Sequence, residues 1–283
     1  MADLKPTAAA ATGAVRAATN VQPKKGGNII SWIAPIACLV IAHVIFYGVF
    51  GMGSNFTDPK NHKGPKNFMG NMYEGGWVVP ILIALFLIVL VFCIERVITI
   101  MKASGRGSNA EFVRKVQYHL ANKNVDQALG ECDKQKGSVA NVMKSGLKKY
   151  KEMIGNGELA TDQKVMAIQK EVEEATALEL PMLEKNLVFL STIASVATLM
   201  GLFGTVMGMI RAFAALGAAG GAGDASALAA GISEALYNTA LGIGTSAIAI
   251  VMYNIFTTKI DGITYGIDES GFTLTQSFAS NYR

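Results

Sequence analysis

Acidic and basic side chains are missing from four long stretches of this 283-residue sequence, and that absence fixes its class. Ile29–Phe50 holds none but His43, Trp77–Ile94 and Leu187–Ile210 hold none at all, and Ala225–Thr258 holds only Glu234. A helix of about 20 apolar residues crosses the hydrocarbon layer, at about 1.5 Å of rise per residue. Each block reaches or approaches that length, so the sequence predicts an all-α membrane protein with four transmembrane helices. The last block exceeds what a bilayer needs and should tilt or project beyond it.

Other scarcities close off whole chemistries. The three cysteines (Cys38, Cys93, Cys132) give no disulfide framework, since two lie inside apolar blocks. His62 and His119 fall on opposite sides of the expected membrane, and His43 sits in a block without other polar residues, so no metal site is expected. No phosphate-binding glycine loop and no nucleophile–base constellation is present, so neither an enzyme nor a cofactor is predicted. Asp126, Glu131 and Asp133 read as the solvated face of a helix.

The net charge of +4 is no sign of nucleic-acid binding; its placement is what informs. Cytoplasmic segments near spans retain Lys and Arg. Lys5, Arg16, Lys24 and Lys25 precede the first block, fourteen Lys or Arg fall between Lys102 and Lys185, and Ala214–Asp224 carries none. Both termini are therefore expected in the cytoplasm, with Lys60, Lys63 and Lys66 of the external Gly51–Gly76 segment a mild dissent. The Ala-rich N-terminus (1–28) reads as disordered. No small-residue cleavage site follows the first block, which makes it an uncleaved anchor (29–51).

Between the spans, 52–76 is rich in Gly, Asn, Lys and Pro and reads as loop. Helices are expected from Ser108 or Asn109 (as cap) to Leu120, over Val125–Lys134 and over Val139–Ile154, with breaks at Gly105-Arg106-Gly107 and Gly155-Asn156-Gly157. From Thr161 to Ile210 one unbroken helix is expected, kinked at most by Pro181. Its stripe of Val165, Ile168, Val172, Ala175, Leu178, Met182 and Phe189 needs neighbours to bury it.

Glu234 is the sharpest candidate, because a carboxylate in hydrocarbon costs roughly 2.5–3.5 kcal/mol on insertion scales. At about 100° per residue, Asn238, Thr239, Thr245, Ser246 and Gly242 share its face, with Leu236, Ile243 and Ile250 opposite. The preceding span carries Ser191, Ser195, Thr198 and Thr205 on one arc. Gly201, Gly204 and Gly208 form a strip suited to close helix contact. Thr205 and Glu234 are expected at comparable depths. A lone Ser or Thr in a span often bonds only to the carbonyl one turn back, whereas a shared polar track with a carboxylate calls for a function. Arg211 reads as a snorkelling structural residue.

Two runs carry a resemblance. Ile193–Ile210 (IASVATLMGLFGTVMGMI) and Gly231–Ile243 (GISEALYNTALGI), followed by Tyr253-Asn254, resemble signatures of the MotA/TolQ/ExbB proton-channel family, most like its ExbB and TolQ branches. The likeness extends from about Trp77 to Thr258. Thr198 and Ile248 stand where ExbB-like chains usually have proline, which implies straighter helices, and the first span is an addition to the usual three.

The resemblance implies a pentamer in the bacterial inner membrane. Spans 187–213 and 226–258 would line a pore around an ExbD- or TolR-like one-span partner that carries the proton-binding Asp. Thr205, Glu234 and Thr239 would face that partner, and a TonB- or Tol-like linker would carry the work outward. The remaining organisation is then a span at 77–101, a cytoplasmic helical region (102–186), periplasmic loops (52–76 and 214–225) and a cytoplasmic tail (259–283). A membrane scaffold with a cytoplasmic binding module, a MotA-like flagellar stator and a lone transporter are the alternatives.

Overall fold

A computed structural model describes residues 27–218 and 225–282, so the N-terminus expected to be disordered and most of the loop expected at 214–225 lie outside the described residues. Among the described residues, four helical stretches are long and apolar enough to cross a membrane, as the uncharged blocks require. Helix α1 (Gly27–Ile45) runs into a π-helical turn (Phe46–Phe50).

The next segment, expected to be loop, is instead a small folded cap. A short antiparallel hairpin, β1 (Phe56–Asp58) with β2 (Lys63–Pro65), pairs Phe56 with Pro65 and Asp58 with Lys63. Helix α2 (Phe68–Glu74) follows, its first turn capped by Asn67, whose side chain accepts from the Gly70 amide at 2.9 Å. The cap has its own aromatic centre. Tyr73 stacks on Phe46 with ring centroids 4.9 Å apart and meets Phe56 edge-on at 5.5 Å. Buried Asn55 donates to the carbonyls of Val49 and Phe50 and accepts from Asn67, so it ties the end of α1 to the start of α2.

Helix α3 (Val78–Ala103) then crosses to a helical domain of α4 (Asn109–Ala121), α5 (Val125–Gln135) and α6 (Gly137–Gly155). Ser108 occupies the N-cap position of α4, but its side chain makes no capping bond. Gly105 (φ +71°) and Gly107 (φ +83°) make the expected break after α3. Phe112, Val116 and Leu120 are buried, as their shared helical face requires.

The long helix expected from Thr161 is interrupted. Helix α7 (Thr161–Glu184) ends at Lys185–Asn186, and α8 (Leu187–Ala218) begins anew. Pro181 stays inside α7, and Asn186 makes the break by adopting φ +67°, a left-handed conformation that Asn tolerates better than most residues. The interruption changes which residues are covered: Leu183 is buried, while Leu178 and Met182, expected on the apolar stripe, are exposed.

Buried Arg96 of α3 holds this junction. Its Nη1 donates to the Leu183 carbonyl at 3.0 Å, at the carbonyl-rich end of α7, and its Nε and Nη2 donate to Glu95 at 2.7 and 2.6 Å. Glu95 also accepts from Asn186 and Thr99.

Helix α9 (Ala225–Asn281) spans 57 residues, about 85 Å at 1.5 Å per residue. The stretch expected to be a tail after Thr258 is the second half of this helix. Its Leu274 and Phe278 are buried with Leu147 and Tyr150 of α6. Gln117 donates to Thr273, Thr161 to the Tyr282 carbonyl and Asn281 to the Leu120 carbonyl. One helix therefore serves both the membrane bundle and the helical domain.

Candidate functional site

The site grows from the seam between α8 and α9. Glycines bring the two backbones together: a Cβ on Gly201 would lie 3.0 Å from the Asn238 carbonyl oxygen, and one on Gly242 2.5 Å from that of Ala197. Gly204 is as tight as Gly242, since a Cβ there would fall 2.5 Å from Asn238 Cβ. Gly208 faces Gly231 and Ala235 in the same way. The sequence strip Gly201, Gly204, Gly208 and Gly242 is thus a contact surface between two helices of this chain.

Within this seam the candidate residues divide into two sets. Asn238, Thr245, Ser246 and Glu234 are buried, so the polar face of α9 turns into the helix bundle. Ser246 donates to the Ala194 carbonyl at 2.5 Å. Ser195 and Thr198 are exposed, with Ser191 half-buried, so the polar arc of α8 is open. The two faces meet at Thr205 and Thr239, whose hydroxyls are hydrogen-bonded to each other across the seam. Each is also within bonding distance of helix carbonyls, Thr205 of Gly201 and Ala235 and Thr239 of Ala235. Both are half-buried, and so remain reachable from the open side.

Glu234 does not share the depth of Thr205. It lies five residues before Thr239 on α9, roughly 7.5 Å along the axis. The depth estimate from sequence counted each residue from the end of its own block, and α8 extends beyond that block to Ala218. The residue facing Glu234 is Arg211, which donates from Nη1 to Oε1 at 2.5 Å. Arg211 is therefore a partner of the buried carboxylate rather than a free snorkelling side chain. The guanidinium side chain is 43% exposed against 8% for the carboxylate, so the pair looks out from the bundle.

Three further residues come from the cap, which composition alone had assigned to loop. The Gly75 carbonyl accepts from Asn238 Nδ2 at 3.0 Å. Gly76, at φ +74°, lies so close to the ion pair that a Cβ would meet Glu234 Oε1 at 2.6 Å and Arg211 Nη1 at 2.8 Å. Asn71 of α2 donates to the Tyr237 hydroxyl at 3.1 Å. The Gly75-Gly76 pair was the available signal, since adjacent glycines before a span allow the backbone to approach a buried group. By contrast, His43 bonds only to the Leu39 carbonyl one turn back.

The arrangement offers hydroxyls, an amide and a carboxylate–guanidinium pair along one seam, suited to stabilising and relaying a proton or a partner's carboxyl. The MotA/TolQ/ExbB proton channel family matches residues 134–269. A putative biopolymer transport protein ExbB-like 3 of Synechocystis is 36% identical over 86 residues, 30% of this chain and 41% of that protein. The Tol-Pal system protein TolQ of Pseudomonas aeruginosa is 31% identical over 121 residues, 43% of this chain and 52% of that protein. A putative ExbB homolog of Methanothermobacter thermautotrophicus is 27% identical over 199 residues, 69% and 66% of the two chains. These matches therefore span between about four tenths and two thirds of the relatives' lengths.

Proposed function

We propose, from the premise that residues 134–269 belong to the MotA/TolQ/ExbB proton channel family, that this chain is the multi-span subunit of a proton-driven motor in the bacterial inner membrane. Five copies surround the helices of a one-span partner of the ExbD or TolR kind. The partner's intramembrane Asp takes up and releases the proton. Its charge state alternates against Thr205, Thr239 and Glu234, and the difference in contacts between the two states drives movement. A TonB- or Tol-like linker passes that movement to the outer envelope.

The observation that carries this reading is the open polar arc of α8, which includes Ser195 and Thr198 and meets α9 at the Thr205–Thr239 pair. Ser191 and Thr198 bond back to the carbonyls of Val188 and Ala194 in their own helix, but four hydroxyls on one arc that ends at the Thr205–Thr239 pair are better served by a shared, partly aqueous interior, which a ring of subunits supplies. A passive scaffold needs no such face. The fourteen cations between Lys102 and Lys185 favour a cytoplasmic helical domain, with the cap (51–76) in the periplasm and both termini in the cytoplasm.

The test is complementation of a deletion strain. Energy-dependent uptake or envelope integrity, abolished by a protonophore, should be restored by the native chain and not by Glu234→Gln. Native mass spectrometry should find five copies with the one-span partner for both proteins. Full complementation by Glu234→Gln would remove the reading's support.

A further inference from the structure

We propose that the seam between α7 and α9, which prolongs the open polar arc of α8 into the cytoplasm, receives the basic cytoplasmic flank of the one-span partner. The proposal rests on the channel reading above and extends it from the membrane to the helical domain.

Two cavities lie along this seam. The upper one, of about 280 Å³, sits at the α7–α8 junction, where Glu184 of α7 and Ser191 of α8 face Tyr253, Thr257 and Asp261 of α9. Ser191 is the first residue of the polar arc, so this cavity stands at the arc's cytoplasmic end. The lower one, of about 510 Å³, is lined by Glu173, Thr176 and Leu180 of α7 and by Asp268, Phe272 and Thr275 of α9. At about 100° per residue, Tyr253, Thr257, Asp261, Asp268 and Thr275 fall within about 80° of one another, so both cavities open along one face of α9. From Tyr253 to Thr275 that face runs about 33 Å, the length of an extended segment of about ten residues.

Charge decides the occupant. Glu173, Glu184, Asp261 and Asp268 line the two cavities, and among the described residues no Lys or Arg does. Glu173 accepts a hydrogen bond from Gln169 at 2.9 Å, and none of the four carboxylates forms an ion pair among the described residues. Nearby cations are turned elsewhere. Lys170 reaches Glu174 at 3.8 Å, and Lys259 lines a separate groove with Met101 of α3. Over the rest of the helical domain the pattern is the opposite, with Glu111, Asp126, Glu131, Asp133 and Glu152 each paired to a lysine of α4–α6.

A row of unpaired carboxylates beside apolar surface, with Phe272 66% exposed, is complementary to a segment that carries Lys or Arg with apolar residues between them. The cytoplasmic flank of a membrane span is such a segment, because Lys and Arg are retained on that side. A partner whose span lies against the α8 arc leaves the membrane beside Ser191, at the upper end of the seam. A second copy of this chain is less suited, since five lysines of its α4–α6 are already engaged within their own domain.

The test is photo-crosslinking in the full complex with the one-span partner in lipid nanodiscs. Benzoyl-phenylalanine substituted at Thr176, and separately at Thr275, should give adducts that map to the partner's residues on the cytoplasmic side of its span. The same probe at Tyr118, exposed on α4, should give none. Adduct yield should fall as salt is raised, because the carboxylates are exposed and screened. The double variant Asp261→Lys, Asp268→Lys should lower it several-fold, and Asp261→Asn, Asp268→Asn less, while native mass spectrometry still finds the assembled ring.

Adducts that join two copies of this chain would assign the seam to subunit contact and overturn the proposal. So would a yield indifferent to both double variants, or no adduct at Thr176 and Thr275 while native mass spectrometry shows the partner bound; in each case the channel reading stands. Absence of any one-span partner from the native complex would overturn the channel reading and this proposal with it.

Discussion

Replacing Arg96 by Met should release the junction between α7 and α8 while leaving the helical domain folded. Arg96 is among the largest fully buried side chains and makes three hydrogen bonds, two to Glu95 and one to the Leu183 carbonyl. Removing one partner of a buried pair costs about 3–5 kcal/mol, because the other charge is stranded. Here the cost sits at the lower end, because Glu95 is 32% exposed and keeps its bonds from Asn186 and Thr99. Met also retains most of the apolar volume.

Roughly 3 kcal/mol of local stability corresponds to about a hundredfold faster amide exchange by opening, at about 1.4 kcal/mol per factor of ten. Hydrogen exchange read by mass spectrometry should show that acceleration in peptides covering 183–190 and not in α4 or α5. Glu95→Gln, which leaves a neutral acceptor for Arg96, should shift the same peptides less. Unchanged exchange at 183–190 in Arg96→Met would refute the claim that this guanidinium holds the junction.

Gly76→Ala should destabilise the cap by about 1–2 kcal/mol for the left-handed backbone alone, and thermal melts should show it with a loss of proton flux. Gly204→Ala should part α8 from α9, lowering the melting temperature in detergent, whereas Gly130→Ala, in open space on α5, should add about 0.5–1 kcal/mol. Burial chiefly pushes the Cys132 thiol up to about 12, so alkylation at pH 8 should be slow until the domain unfolds. The unfolded thiol ionises near its ordinary value while the folded one holds its proton. Its contribution to stability is therefore intact below pH 9 and lost as pH rises from 9 towards 12.

Much of this architecture was legible because its signals are local. Uncharged blocks mark spans, Gly105 and Gly107 mark a break, and the spacing of Phe112, Val116 and Leu120 marks a buried face. Glu234 stood out because nothing else in its block is charged.

What escaped depends on contacts distant in sequence. The end of α7 rests on Arg96 reaching Leu183, 87 positions away, and on a left-handed Asn186 with no compositional mark. The cap has the glycine, asparagine and proline content of a loop, but Asn55, Phe56 and Tyr73 close it into a core. Arg211 finds Glu234 only because glycines let α8 and α9 approach, and a wheel drawn for one helix cannot show which residue of the next will face it.

The central claim is that protons pass beside the α8–α9 seam under the influence of Glu234. The most direct measurement is proton flux into liposomes holding the assembled complex, driven by an imposed gradient and compared between the native protein and Glu234→Gln. Gln preserves size and hydrogen-bonding reach while removing the charge, so the account predicts an intact oligomer with flux reduced to near the protein-free leak, and a smaller loss in Thr205→Val. Native flux in an assembled Glu234→Gln complex would contradict it.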